Sequence, residues 1–347
     1  MPSQRQIQRF VVALLALTLA GCGARPVAQF APPAEGATPQ LIYVATGRDL
    51  TPDGPAFGAK RAEKMSHARL TISVPPTHVT GQIEWPDATP DAATDFVITD
   101  SRRFTGAPAM LADLARNKPG RETLLFVHGY NYTLSEAAYR LAQVKQDFGT
   151  REPSVLFAWP SAGDPRGYIY DRDSVLFARD DLVRTLRDLT DGDRKVFILA
   201  HSMGAALTME ALRQAAIGGD RRILDRISGV VLMSPDIDPD LFRRQAQAIG
   251  ALPQPFLIFT SQQDRALSLA GFLTGRKQRL GVIDSPESVA GLDVQVLDFS
   301  QLSDQRGINH AIAVTSPRAV RVLRGMMAQA RTTGTGFGRY MVLNAAQ

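Results

Sequence analysis

Val196-Phe197-Ile198-Leu199-Ala200-His201-Ser202-Met203-Gly204-Ala205-Ala206 decides the architecture of this chain of 347 residues. Four apolar residues in a row have the length and composition of a buried strand. The run stops at Ala200-His201-Ser202-Met203-Gly204. The residues from Ala205 to Ala216 then suit a helix, because alanine gives up least on becoming helical. A strand that turns straight into a helix brings the two almost into contact, so only small residues fit around the turn. A serine at its centre is expected to point its hydroxyl outward, exposed to a substrate. The pattern is G-x-S-x-G with Ala200 at the first position, a departure small enough for the crowding to tolerate.

Working outward, strand and helix patterns alternate from Arg121 onward. Thr123–Val127, Ser154–Ala158, Gly229–Met233, Phe256–Thr260 and Val294–Phe299 read as strands of a mainly parallel sheet covered on both faces. Thr133 and Glu136 have capping-box spacing for a helix stopped at Gly149. Asp173–Leu189 is amphipathic, with Leu182, Val183, Leu186 and Leu189 on one face. Asp238-Pro239 reads as the cap and first residue of a short helix. Ser316-Pro317 opens a last helix with Val320, Leu323 and Met327 as its buried stripe. Earlier in the chain, Leu41–Ala45 and Arg69–Val74 read as strands, with a Gly- and Pro-containing loop to about Ala59 between them. Val79–Trp85 and Asp95–Thr99 are further candidate strands, and Ala107–Asn117 is a candidate helix. Without long helices between them, these early strands suggest an antiparallel edge. There is no internal repeat, and Arg331–Gln347 reads as a loosely ordered tail.

A serine alcohol is a poor nucleophile near neutral pH and needs a base within hydrogen-bond reach. Of the five histidines, only His310 follows the last sheet strand and satisfies the order serine, acid, histidine. His128 and His201 sit in tight turns, and His67 and His78 lie in the early part. The acid that orients the base is expected at Asp264, just after Phe256–Thr260. Asp236, in Ser234-Pro235-Asp236-Ile237-Asp238, is the alternative, and Asp284 and Asp293 are less well placed. A tetrahedral intermediate needs preorganised N–H donors. The backbone N–H of Met203 is one candidate. Tyr130, in His128-Gly129-Tyr130-Asn131 after a strand, is the other, with Asn131 bracing the loop. The histidines are scattered and the one cysteine has no second cysteine to join it, so no metal site is expected. No phosphate-binding glycine loop occurs and no cofactor is expected.

The N-terminus reads as an address. Arg5 and Arg9 precede a short apolar run, Phe10–Ala20, which together make a secretory leader. The run is too short for a bilayer-spanning helix, which needs roughly 20 residues. It ends in Leu19-Ala20-Gly21-Cys22, which resembles the lipobox of bacterial lipoproteins, where cleavage leaves an acylated cysteine. Cys22 is the only cysteine. The plainer alternative is a leftover thiol in an ordinary signal peptide. Gly23, not an aspartate, follows, and the resemblance to Gram-negative lipoproteins then implies the outer membrane, facing the periplasm. Residues 1–21 are thus a leader. Residues 22–40, rich in Ala, Pro and Gly, are a flexible tether. Removing Arg5 and Arg9 lowers the formal charge from +5 to +3, too mild to argue for nucleic acid.

Seven segments together, YVATGR, FVHGYN, FAWPSAGDPRGYIYDRDS, AHSMG, MSPDID, TSQQDRALSLA and NHAIAVTSP, resemble an uncharacterised bacterial esterase/lipase-like family of α/β-hydrolases. They cover most of residues 41–330. The resemblance implies an α/β-hydrolase fold and a serine hydrolase acting on carboxylic esters. An acyltransferase or thioesterase would use the same parts. The alternative is a catalytically silent envelope lipoprotein that keeps the fold for binding or scaffolding. Trp159, Pro160, Ser161, Tyr168 and Asp171 match the family pattern, either as a substrate-facing wall or as a solvated loop. Only about twenty residues separate Ser234 from the next strand, too few for a large lid. An open or shallow site is therefore expected, framed by the loop from Trp159 to Arg172, with esters of short or medium acyl groups as substrates.

Overall fold

A computed structural model describes residues 25–51, 57–117, 120, 122–273, 275, 278–302, 308–333 and 340–343. The leader, Cys22 and the first residues after it lie outside this set. Three strands open the chain: β1 (Thr38–Leu50), β2 (Phe57–Val74) and β3 (Val97–Phe104). The helix α1 (Ala107–Asn117) leads to β4 (Glu122–Val127), α2 (Leu134–Phe148) and β5 (Ser154–Ala158). Then come α3 (Tyr168–Phe177), α4 (Arg179–Leu189), β6 (Lys195–His201) and α5 (Met203–Ile217). The chain continues through α6 (Arg221–Asp225), β7 (Ile227–Met233), α7 (Pro239–Ile249), β8 (Phe256–Thr260) and α8 (Arg265–Leu273). It closes with β9 (Gln295–Asp298), α9 (Ile312–Thr315), α10 (Pro317–Thr333) and β10 (Tyr340–Val342).

Among the described residues, ten strands form one sheet in the order β10-β9-β8-β7-β6-β4-β5-β1-β2-β3. The pairs β1/β2 and β2/β3 are antiparallel and the rest are parallel, as the early and late sequence patterns predict. Side chains alternate between the two faces along a strand. In β6 this sends Val196, Ile198 and Ala200 to one face, against Leu182, Leu186, Leu207 and Phe242 of α4, α5 and α7. Leu199 joins the other face, covered by Leu141 and Val144 of α2 and Leu323 of α10. From β4 the chain passes to β5 on one side and later returns to β6 on the other. The crevice beyond the C-terminal ends of β4 and β6 is such a reversal point, where open α/β sheets bind ligands.

Several boundaries differ from the sequence reading. The loop expected up to Ala59 is mostly hairpin, because β1 runs on to Leu50 and pairs with β2 from Phe57. Val79–Trp85 forms no strand. Carboxylates satisfy its backbone instead: Gly81 N donates to Asp147 and Val79 N to Glu84. The helical stretch Asp173–Leu189 starts earlier and is broken at Ala178. The Trp159–Arg172 loop is accordingly shorter, giving way to α3 at Tyr168. The tether expected up to residue 40 is docked over residues 25–40. Arg25 reaches Glu136, Phe30 bridges Ile98, and β1 starts at Thr38. The tail expected from Arg331 holds a strand, since Tyr340–Val342 pairs with β9 and Leu343 is fully buried. Between β7 and β8 stands α7 alone, its Phe242, Ala246 and Ile249 packed on the core rather than over the crevice.

Candidate active site

Ser202 occupies the turn between β6 and α5 with φ 55° and ψ −121°. That conformation is normally left to glycine. The flanking hydrogen bonds hold it there. Its N–H donates to Met233 O (3.0 Å), and its carbonyl accepts from Ala205 N (3.0 Å) and Asp236 N (3.2 Å). The crowding inferred from small residues is quantitative. A Cβ on Gly204 would lie 2.3 Å from His128 O and 2.5 Å from Val127 O. One on Gly129 would lie 2.7 Å from His201 Nδ1 and 3.0 Å from Ser202 Cβ. The His128-Gly129 backbone thus lies against the serine. Ser202 is in consequence only 2% exposed, recessed rather than standing free as its sequence context suggests. Met203 N belongs to the first turn of α5, where N–H groups have no acceptor within the helix.

His310 and Asp264 meet although 46 positions apart: His310 Nδ1 lies 2.7 Å from Asp264 Oδ2. Asp264 is fully buried and also accepts from Leu267 N at the start of α8 (3.0 Å). The His310 side chain keeps 19% exposure. Arg265 N donates to Ile308 O (3.1 Å), tying the two loops together. His201 Nε2 donates to the His310 carbonyl (3.1 Å), and the two rings lie 4.6 Å apart. His310 is thereby held beside the residue that precedes Ser202. Asp236 is engaged elsewhere. Its Oδ1 pairs with Arg279 Nε at 2.9 Å, and its Oδ2 accepts from Tyr168 Oη (3.0 Å), which in turn accepts from Arg279 (3.0 Å).

The neighbouring histidines are both shifted downward. Burial disfavours the charged imidazolium. Aided by the Arg48 charge, it pushes His128 down to about 3. The His128 ring stacks on Trp159 at 5.0 Å, and Trp159 Nε1 donates to His128 O (2.7 Å). Burial and then the nearby His310 push His201 well below the ordinary histidine range.

The loop carrying Tyr130 is pinned from four sides. Asp171 accepts from Asn131 N (3.0 Å), Ala162 N (2.7 Å) and Ser161 Oγ (2.6 Å), and Ser161 Oγ accepts from Tyr132 N (3.2 Å). Burial raises Asp171 despite these bonds. The buried Arg48 guanidinium donates to Tyr132 O, Ser161 O and Gly58 O, and burial lowers it to about 10. Arg25 donates to Asn131 O (2.7 Å) and Gly163 O (2.7 Å) and pairs with Glu136 (2.6 Å). The Tyr130 hydroxyl donates to Pro165 O, and its ring meets Tyr168 edge-on at 5.4 Å. Trp159, Ser161, Tyr168 and Asp171, to which the sequence assigns no definite role, are thus braces. Sequence reasoning does not find Arg48 or Arg25. An arginine shortly after the apolar run Leu41–Ala45 is the available signal for the first. Among the described residues, no group of three or more His, Cys, Asp or Glu could hold a metal ion.

The sheet order, the reversal at β4 and the serine turn define an α/β-hydrolase. Residues 106–327 match the family described as alpha/beta hydrolase of unknown function (DUF900), and the chain belongs to that family. No curated protein matches it. Among solved structures it is similar to a predicted CIB-like hydrolase from Thermoplasma acidophilum. That likeness has 14% identity and TM-score 0.40, over 85% of this chain and 100% of that one. It is similar also to esterase B from Lactobacillus rhamnosis, with 13% identity and TM-score 0.37, over 95% and 99% of the two chains. A third is a hyperthermophilic esterase from Pyrobaculum calidifontis, with 10% identity and TM-score 0.36, over 86% and 87%. At these values they carry no argument about chemistry.

Proposed function

We propose that the chain is a serine hydrolase of carboxylic esters. Ser202 Oγ attacks the ester carbonyl carbon while His310 Nε2 takes its proton, and Asp264 holds the imidazole and balances the imidazolium. The N–H groups of Met203 and Tyr130 hold the oxyanion. His310 then protonates the departing alcohol. Water, losing its proton to His310, attacks the acyl-enzyme, and the acid leaves as His310 returns that proton to Ser202 Oγ. The observation that supports this most is the 2.7 Å contact between His310 Nδ1 and the buried Asp264, beside a strained serine turn. We propose further that cleavage at Cys22 leaves a lipid-anchored protein of the cell envelope, at the outer membrane. The test is labelling by a fluorophosphonate probe, followed by a panel of p-nitrophenyl esters. Wild type is expected to label, and Ser202→Ala and His310→Ala are not. A folded wild type that neither labels nor hydrolyses any ester would overturn the reading in favour of a silent scaffold.

A further inference from the structure

Arg25, bound to Asn131, Glu136 and Gly163, fixes the chain on the loop that borders Ser202. Cys22 stands three positions before it. Fully extended chain covers at most about 11 Å over that separation. A lipid on Cys22 would therefore attach within that distance of Arg25, close to the loop that borders Ser202. Exposed apolar side chains accompany the site. Ile169, Leu269 and Ile308 are 70%, 60% and 66% exposed. Ile169 follows Tyr168, whose ring meets Tyr130. Leu269 lies one turn beyond Arg265 on α8, and Ile308 is joined to Arg265 and stands two residues before His310. Three large apolar side chains thus stand in water on three separate segments, one next to the partner of the Tyr130 ring and two on the segments that carry Arg265 and His310.

We propose that this rim rests on the bilayer surface, so that the ester Ser202 meets belongs to a membrane lipid. This rests on the hydrolase and anchor readings above. Two membrane signals, an acyl anchor and an apolar contact, suffice for stable attachment. A site held permanently at the interface has no need of a lid that opens on reaching it. The acyl chain can remain in the lipid phase while only the ester group dips to the recessed serine. A shallow site then serves long-chain lipid esters in a membrane, although on soluble esters it favours short ones.

The test uses the full-length lipidated protein recovered from membranes and reconstituted in phosphatidylethanolamine/phosphatidylglycerol vesicles. Ile308→Trp and Lys195→Trp are each quenched with brominated lipid against the Trp85 and Trp159 background of wild type. Lys195 is exposed at the opposite end of β6 from Ser202. Quenching at position 308 and not at 195 is expected; equal quenching, or none at 308, overturns the orientation. In parallel, hydrolysis of a vesicle-borne 4-methylumbelliferyl oleate is compared with soluble p-nitrophenyl butyrate. Polar replacement of the rim (Ile169→Ser, Leu269→Ser, Ile308→Ser), or a Gly/Ser insertion of about twenty residues after Gly23, is expected to lower the vesicle-to-soluble rate ratio at least about tenfold. An unchanged ratio overturns the proposal. Activity on neither ester, with quenching at 308 intact, overturns the hydrolase reading and the lipid substrate while sustaining the orientation. Wild type that does not fractionate with membranes overturns the proposal at its anchor.

Discussion

Two aspartates compete for one role, and their surroundings separate them. Asp264 touches His310, whereas Asp236 is bound to Arg279 and Tyr168. Asp264→Asn is therefore expected to lower kcat by about 10⁴ with little change in melting temperature, because an amide holds the wrong tautomer of the histidine. Asp236→Asn leaves the buried Arg279 without its counter-charge and is expected to cost about 3–5 kcal/mol of stability. Thermal melts and single-turnover kinetics on both variants check the pair. The opposite pattern would exchange the roles. Ser202 supplies a second residue-scale expectation. Its φ is 55°. That value is costly for any residue with a Cβ, so Ser202→Gly is expected to be more stable than Ser202→Ala by about 1–3 kcal/mol. Both lack the hydroxyl, so the comparison isolates the backbone, and equal melting temperatures would mean that the turn holds no strain. The approach of Asp264 and His310 was legible in the sequence because each follows a sheet strand. The lowering of His128 and His201 was not, because it depends on burial produced by distant segments.

Among the elements, the crossing of β4 and α5 governs the site most directly. Gly204 approaches the carbonyls of Val127 and His128, so helix and strand cannot separate to admit a methyl without moving Met203 N and the Gly129 backbone. Gly204→Ala is expected to cost about 1–3 kcal/mol or more and to reduce ester hydrolysis along with stability. Gly149→Ala is the control: nothing lies within 4 Å of the new methyl, and only the left-handed φ of 63° opposes it. It is expected to cost about 1–2 kcal/mol and leave kcat alone. Parallel strands and capped helices read well from sequence because their signals are local. The Thr133/Glu136 capping box and the Asp238-Pro239 start both appear as expected. Misread elements are those whose backbone is satisfied from afar. Val79–Trp85 mixes apolar and polar residues as a strand does but finds the carboxylates of its own Glu84 and of distant Asp147 in place of a neighbouring strand. The end of β1 is polar, and Arg48 there gains its partners only when the start of β2 and two loops close over it.

Across the whole molecule, the segment before β3 is fastened to the hydrolase core by one polar cluster. His78 bridges Glu84 (Nδ1, 2.9 Å) and Asp147 of α2 (Nε2, 3.1 Å), and Asp147 also accepts from Gly81 N (2.7 Å) and Gln143. Phe96 packs edge-on against the His78 ring at 5.4 Å. Burial alone would lower His78, since it disfavours the charged form. Hydrogen bonds and charges of the two carboxylates outweigh it and hold His78 above its ordinary value. Burial raises Asp147, yet its bonds to His78, Gln143 and Gly81 bring it below the carboxylate range. The signs follow from which state binds the proton more tightly. His78 contributes stability fully below its unfolded value of about 6.5, and the contribution is lost as pH rises through its higher folded value. Asp147 contributes above its unfolded value of about 3.9 and loses it as pH falls through its lower folded value. Stability from this cluster is therefore greatest on the acid side of neutrality and declines above pH about 6.5. In His78→Gln the melting temperature is expected to be lower near pH 5.5, and its decline from there to pH 8.5 to be shallower than in wild type. Parallel declines would show that the cluster does not titrate with unfolding. Ester hydrolysis at fixed pH should remain, since the His78 ring meets Glu84 and Asp147 and none of the groups that hold the serine turn.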